Sequence, residues 1–149
     1  MKLISHRGNI NGRLENWENE PTYIDSAIDK GYDVEVDVWV LPEHKNVIFL
    51  GHDKPQYGVT INFFIERIKK LWVHCKNIES LIYFQNSEHP IHFFWHQEDD
   101  VTLTSLNYIW AYPGKQPTKG SIAVMPEINN DDVTKCIGIC SDYITNYRL

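Results

Sequence analysis

From Asp33 to Val38 apolar and polar side chains alternate without a break, in the segment YDVEVDVWVL. Val34, Val36, Val38 and Val40 fall on one face of a strand, and Asp33, Glu35, Asp37 and Trp39 fall on the other. Seven further short apolar runs have strand length and β-branched or aromatic content: KLISH, NVIFLGH, KLWVHCK, IHFFWHQ, NYIWAYPG, SIAVMPE and CIGICSDYI. Helical periodicity appears in only three places. PTYIDSAIDKG has Pro21 at its start, Ile24, Ala27 and Ile28 on one face, and Gly31 as its stop. INFFIERIKKL carries a stripe of Phe64, Ile65, Ile68 and Leu71, and NIESLIYFQN is a weaker third candidate.

Strand and helix alternate in the first half, which implies right-handed βαβ units and a parallel sheet. After about residue 100 the helical spacers vanish, and links such as GKQPTKG are too short for a helix. The expected fold is therefore α/β, a trimmed (β/α) TIM-type barrel with several helices missing in the second half. Complete barrels of this kind take ~250 residues, whereas this chain has 149. Residues 1–149 read as a single domain, with no repeat, linker or low-complexity segment.

Composition narrows the function. Apolar residues make up 42% and aromatics 13%, enough for a sizeable core. The net charge is −6 and the only basic cluster is Ile68-Lys69-Lys70, so a nucleic-acid partner is not expected. Three cysteines without CxxC spacing read as reduced, packed thiols. No run reaches transmembrane length and polar residues arrive by His6, so the chain reads as cytoplasmic. Strand surface left bare by missing helices would mark an interface, which keeps a homo-oligomer open as a partner.

The polar face of 33–40 would ordinarily meet water. In a barrel it looks inward, where unpaired carboxylates are costly, and a divalent cation held by Glu35 and Asp37 would relieve that cost. His6 ends the first strand. His52 follows another strand and a glycine, with Asp53 beside it to orient or ionise the ring. Two histidines and a metal site are the components of in-line displacement at phosphorus.

Four linked motifs give these residues a common frame: HRG at 6–8, Glu18-Asn19 before Pro21, EVD at 35–37 and GHD at 51–53. In order and spacing they resemble the signature of the glycerophosphodiester phosphodiesterase family, and GICSDYI near the end resembles that family's closing strand. The resemblance implies a metal-dependent phosphodiesterase acting on a small-molecule phosphodiester, with glycerol phosphate and an alcohol as products. His6 and His52 would be the acid–base pair, Arg7 and Lys76 would bind phosphate, and Glu35 and Asp37 would hold the metal. Glu18 would stand behind His6 or Arg7.

The third strand departs from the family pattern. His74 stands where a metal-binding glutamate is expected, two residues before Lys76. With His74 as third ligand the site loses a negative charge. The resemblance implies Mg²⁺, and the imidazole opens the site to Mn²⁺, Zn²⁺ or Ca²⁺. His96, Glu98 and Glu127 are alternative contacts, with Trp110, Tyr112 and Lys115 as wall or mouth residues. Two other readings stay open: a lyase that stops at a cyclic phosphate, and a phosphate-binding pseudoenzyme.

Overall fold

The computed structural model describes all 149 residues. In chain order the elements are β1 (Lys2–His6), α1 (Pro21–Asp29), β2 (Asp33–Val40), β3 (Ile48–Leu50), β4 (Tyr57–Val59) and α2 (Ile61–Glu66). They continue with β5 (Leu71–Cys75), α3 (Ile78–Gln85), β6 (Phe93–Phe94), β7 (Val101–Leu103), β8 (Ile109–Ala111), β9 (Ser121–Val124) and β10 (Gly138–Ser141). Short 3₁₀ turns follow β9 and β10.

The helices begin where local chemistry satisfies their first amides. Glu20 accepts from the Tyr23 amide and Pro21 opens α1. Asn77 and Ser80 form a reciprocal capping box at α3. Asn77 also bonds both backbone groups of Val40, so the cap that starts α3 ties it to the end of β2. This explains why the weakest helix signal is realised in full. The signal for 61–71 is realised only as far as Glu66: Arg67 turns the chain, and its guanidinium bonds Asp25 and the Phe63 carbonyl.

All ten strands belong to one sheet, and the protein is mixed α/β with three α-helices. Its parallel part runs β6-β5-β2-β1-β10-β9-β8. β3, β4 and β7 are antiparallel additions, which corrects the expectation of an all-parallel sheet. The connection from Leu41 to Val47 is too short for a crossover helix, so the chain turns straight back along β2. IHFFWHQ gives only a two-residue strand. The Trp95 and His96 carbonyls are taken by Thr102 Oγ1 and His74 Nε2 instead of by a ladder.

On the outer face Val34, Val36 and Val38 pack under Ile24 and Ala27 of α1, Phe63 and Phe64 of α2, and Phe84 of α3. Beyond β1 no α-helix covers that face, and the 3₁₀ turn Ile144–Tyr147 packs there instead. There Ala123 and Ile139 lie under Tyr32 and Ile144, with Val133 and Cys136 packed alongside. On the inner face Ile4, Trp72, Phe94, Trp110, Ile122 and Cys140, from six different strands, form one cluster. Phe94 of β6 and Trp110 of β8 are 4.7 Å apart between ring centroids, although no ladder joins those strands. Nearby, the Ser105 amide donates to the Phe93 carbonyl. Side chains at the two ends of the parallel part therefore meet. No helix is long and apolar enough to cross a membrane.

Candidate metal centre

The strand registers bring the candidate residues together. His6 pairs with Glu35 across β1 and β2, and Asp37 pairs with His74 across β2 and β5. Glu35, Asp37 and His74 offer ligand atoms that all lie within 4.8 Å of one another. Both carboxylates are buried, Glu35 at 2% and Asp37 at 0% exposure. Glu35 Oε2 and Asp37 Oδ1 have no hydrogen-bond partner. Buried carboxylate oxygens without donors are costly, and this pair opens toward a third ligand.

His74 is oriented for that role. Its Nε2 lies 2.7 Å from the His96 carbonyl and must donate to it, so Nδ1 faces Glu35 Oε1 at 3.5 Å and Asp37 Oδ1 at 3.3 Å. Burial by itself would lower the pKa of this histidine, but Asp37 and Glu35 overcome that and push it up to about 9. Burial would likewise raise Asp37, yet His74, Arg7 and Lys76 hold its carboxyl far below the usual range.

Asp37 is the hub of the cluster. Asn19 donates Nδ2 to its Oδ2 at 2.9 Å and accepts its backbone amide at 2.9 Å. Arg7 Nε lies 2.9 Å from the same oxygen, within ion-pair range but misaligned for a hydrogen bond. Lys76 Nζ is 3.7 Å from Oδ1. Arg7 (φ 58°) and Asn19 (φ 64°) both adopt the left-handed conformation, which non-glycine residues take at a cost of order 1 kcal/mol. Both bends serve one carboxylate.

Glu18 stands behind Arg7 and not behind His6: it takes Arg7 Nη1 at 3.3 Å, with Asn9 and Arg13 each at 3.0 Å. His6 is held instead by Asp142, whose Oδ1 lies 2.8 Å from Nδ1, while Nε2 faces Glu35 Oε2 at 3.8 Å. Burial raises the Asp142 pKa, but His6, Asn9 and Arg7 bring it below its ordinary value. His52 leans on Asp53 Oδ1 at 2.6 Å through Nδ1 and is the most exposed of the three site histidines. Its position depends on Gly51, where a Cβ would collide with the Lys54 carbonyl oxygen.

A cavity of ≈ 330 Å³ joins these parts, with His6, Arg7, Glu35, His52, His74 and Lys76 in its lining. Trp110, Tyr112, Val124 and Met125 line it as well. The His96 ring also borders it, but its Nε2 is committed to the Asp99 carbonyl at 2.6 Å and its own carbonyl orients His74. Glu127 accepts from Ser141 and Tyr147, and Lys115 pairs with Asp100, so neither lines the cavity. Sequence reasoning gave no role to Asn9, Asn19 or Asp142 individually. Asn19 and Asp142 lay inside quoted motifs, whereas Asn9 carried no signal of its own. Comparisons with protein-family models, curated proteins and solved structures return no match.

Proposed function

We propose that the protein is a metal-dependent phosphodiesterase of glycerophosphodiesterase type, and that its sheet is a trimmed (β/α) barrel with the site at the C-terminal ends of its strands. The observation that carries this reading is the cluster of Glu35, Asp37 and His74, in which His74 Nδ1 faces both buried carboxylates and Glu35 Oε2 and Asp37 Oδ1 have no hydrogen-bond partner. Two hard oxygens and an imidazole nitrogen suit Mg²⁺ or Mn²⁺, and also Zn²⁺ or Ca²⁺. Held by Glu35, Asp37 and His74, the cation would supply Lewis-acid polarisation of a phosphoryl oxygen.

The remaining chemistry belongs to the chain. Arg7 and Lys76 bring two positive charges to the cavity where negative charge grows on the transferring phosphoryl group. Asp142 fixes the His6 tautomer with the proton on Nδ1, which leaves Nε2 to exchange a proton with a reacting oxygen. Asp53 does the same for His52. One histidine removes the proton of the attacking water or neighbouring hydroxyl, and the other protonates the departing alkoxide. The bond from phosphorus to the leaving oxygen breaks as the new one forms.

Product analysis on glycerophosphodiesters in the presence of Mg²⁺ or Mn²⁺ tests the reading. Linear phosphomonoester is expected; a persistent cyclic phosphate would indicate a lyase, and binding without turnover a pseudoenzyme. Replacing His6 or His52 by Ala lowers turnover by roughly 10²–10⁴-fold. Activity within a few-fold of wild type in both variants would remove them from the mechanism.

A further inference from the structure

His52 borders two cavities, of which only one has an apolar wall. One is the metal-centre cavity, whose far wall is built from Trp110, Tyr112, Pro113, Val124 and Met125 on β8, β9 and the turns that follow them. The other, of ≈ 360 Å³, is lined by the segments after β1 and β3 and contains no apolar side chain. Its donors and acceptors include Arg13, Lys54 and Gln56 and the carboxylates of Glu15, Glu18 and Asp53. Lys54 makes no ion pair, whereas Arg13 is held by Glu18. In the sheet order β8 and β9 are separated from β2 by β10 and β1, so the apolar wall and the polar bay approach the centre from different arcs.

The apolar wall is also strained where it meets the cavity. Met125 has φ 47° and ψ 49°, a conformation glycine would adopt without cost, and its amide is pinned to the Cys140 carbonyl at 2.7 Å. Met125 and Tyr112, which is 38% exposed, both line this cavity.

We propose that the two bays sort the two ester groups of the substrate: a small aromatic or apolar group lies against Tyr112 and Met125, and a hydroxylated group lies in the bay of Arg13, Lys54 and Gln56. This rests on the phosphodiesterase reading and names its substrate class, a mixed diester of one apolar and one polar alcohol. The metal-centre cavity must also hold the phosphate, and its volume is at the low end for ligand sites. It therefore suits a single ring and not a long acyl chain. Tyr112 and Met125 act as specificity residues on one side, Lys54 and Gln56 on the other.

The test compares Tyr112→Ala, Met125→Gly and Lys54→Ala with wild type on diphenyl, glyceryl phenyl and diglyceryl phosphate, in Mg²⁺ or Mn²⁺. Each variant is read against wild type on the same diester, so the intrinsic reactivity of phenol cancels. Tyr112→Ala and Met125→Gly should lower kcat/KM about 10–100-fold on the phenyl esters and leave diglyceryl phosphate nearly unchanged. Lys54→Ala should do the reverse, sparing diphenyl phosphate. Calorimetric binding of phenyl phosphate should weaken in Tyr112→Ala but not in Lys54→Ala, a split that general loosening of the fold would not produce. Turnover with equal losses on all three diesters would overturn the sorting alone. No turnover of any diester would remove the phosphodiesterase reading and the sorting with it.

Discussion

His74 Nδ1 stands 3.3 Å from Asp37 Oδ1 while its Nε2 is spent on the His96 carbonyl. A neutral ring in that tautomer would aim a lone pair at two buried carboxylates. Something positive must therefore lie between them, either a proton on Nδ1 or a cation. In the protein without metal the proton fills the role, which is why the His74 pKa is pushed up to about 9 despite burial. Proton and metal compete for one nitrogen.

Metal affinity should consequently fall as pH drops below about 9, by up to tenfold per unit, because binding releases the His74 proton. An unperturbed imidazole would show this only below ~6.5. His74→Glu should move the dependence to lower pH and shift the preference toward Mg²⁺ or Ca²⁺. Titrations of Mn²⁺ and Mg²⁺ between pH 6 and 9.5 read both effects. Identical rankings and slopes in the two proteins would mean that His74 is not a ligand.

The buried Glu35 and Asp37 carboxylates give a readout that needs no substrate. A divalent ion at 100 times its Kd should stabilise the fold by about 2.7 kcal/mol, or roughly 5–10 °C in Tm for a chain of this size. Glu35→Gln removes a ligand while keeping the shape, and it should abolish the shift whatever it does to the metal-free Tm. Thermal melts with and without Mn²⁺ check this, and an undiminished shift in Glu35→Gln would place the ion elsewhere.

How much of this arrangement a reader could take from the sequence depends on the distance over which each residue acts. The alternation in 33–38 was legible because a strand puts successive side chains on opposite faces, and its valines do lie under helices while Glu35 and Asp37 face inward. His6, Arg7 and His52 were legible as strand-end motifs. The support of His6 by Asp142 was not, because it spans 136 positions and depends on β10 pairing with β1. The antiparallel β3–β4 pair was hidden for another reason. A three-residue strand has no periodicity to show, and its direction follows from a turn too short to cross the sheet. His92 is a second buried titrating group, and it acts on stability in the opposite sense to His74.

Stability in the metal-free protein should peak near pH 6.5 because His74 and His92 titrate in opposite senses. His92 is buried, its ring centroid 4.2 Å from that of Trp72 with the planes tilted by 51°, and it is bonded to Thr104 Oγ1 at 2.7 Å. Burial, helped by the Lys2 charge, brings its pKa down to about 4. As pH falls from ~6.5 toward 4 the unfolded chain takes up a proton that the folded chain refuses, so stability present above 6.5 is lost on acidification. His74 behaves oppositely. Its folded pKa of about 9 exceeds the unfolded value, so its contribution is full below ~6.5 and disappears as pH rises through 9. Each shift corresponds to something on the order of 3 kcal/mol. The depressed carboxyls of Asp37 and Asp142 lose their contribution only below ~3.9, outside this window. Urea unfolding at pH 4.5, 6.5 and 8.5, with chelator present, should give the highest midpoint at 6.5. His92→Asn should flatten the acid limb alone and His74→Gln the alkaline limb alone. A profile that rises steadily from 4.5 to 8.5 in wild type would mean that His74 carries no proton between its two carboxylates.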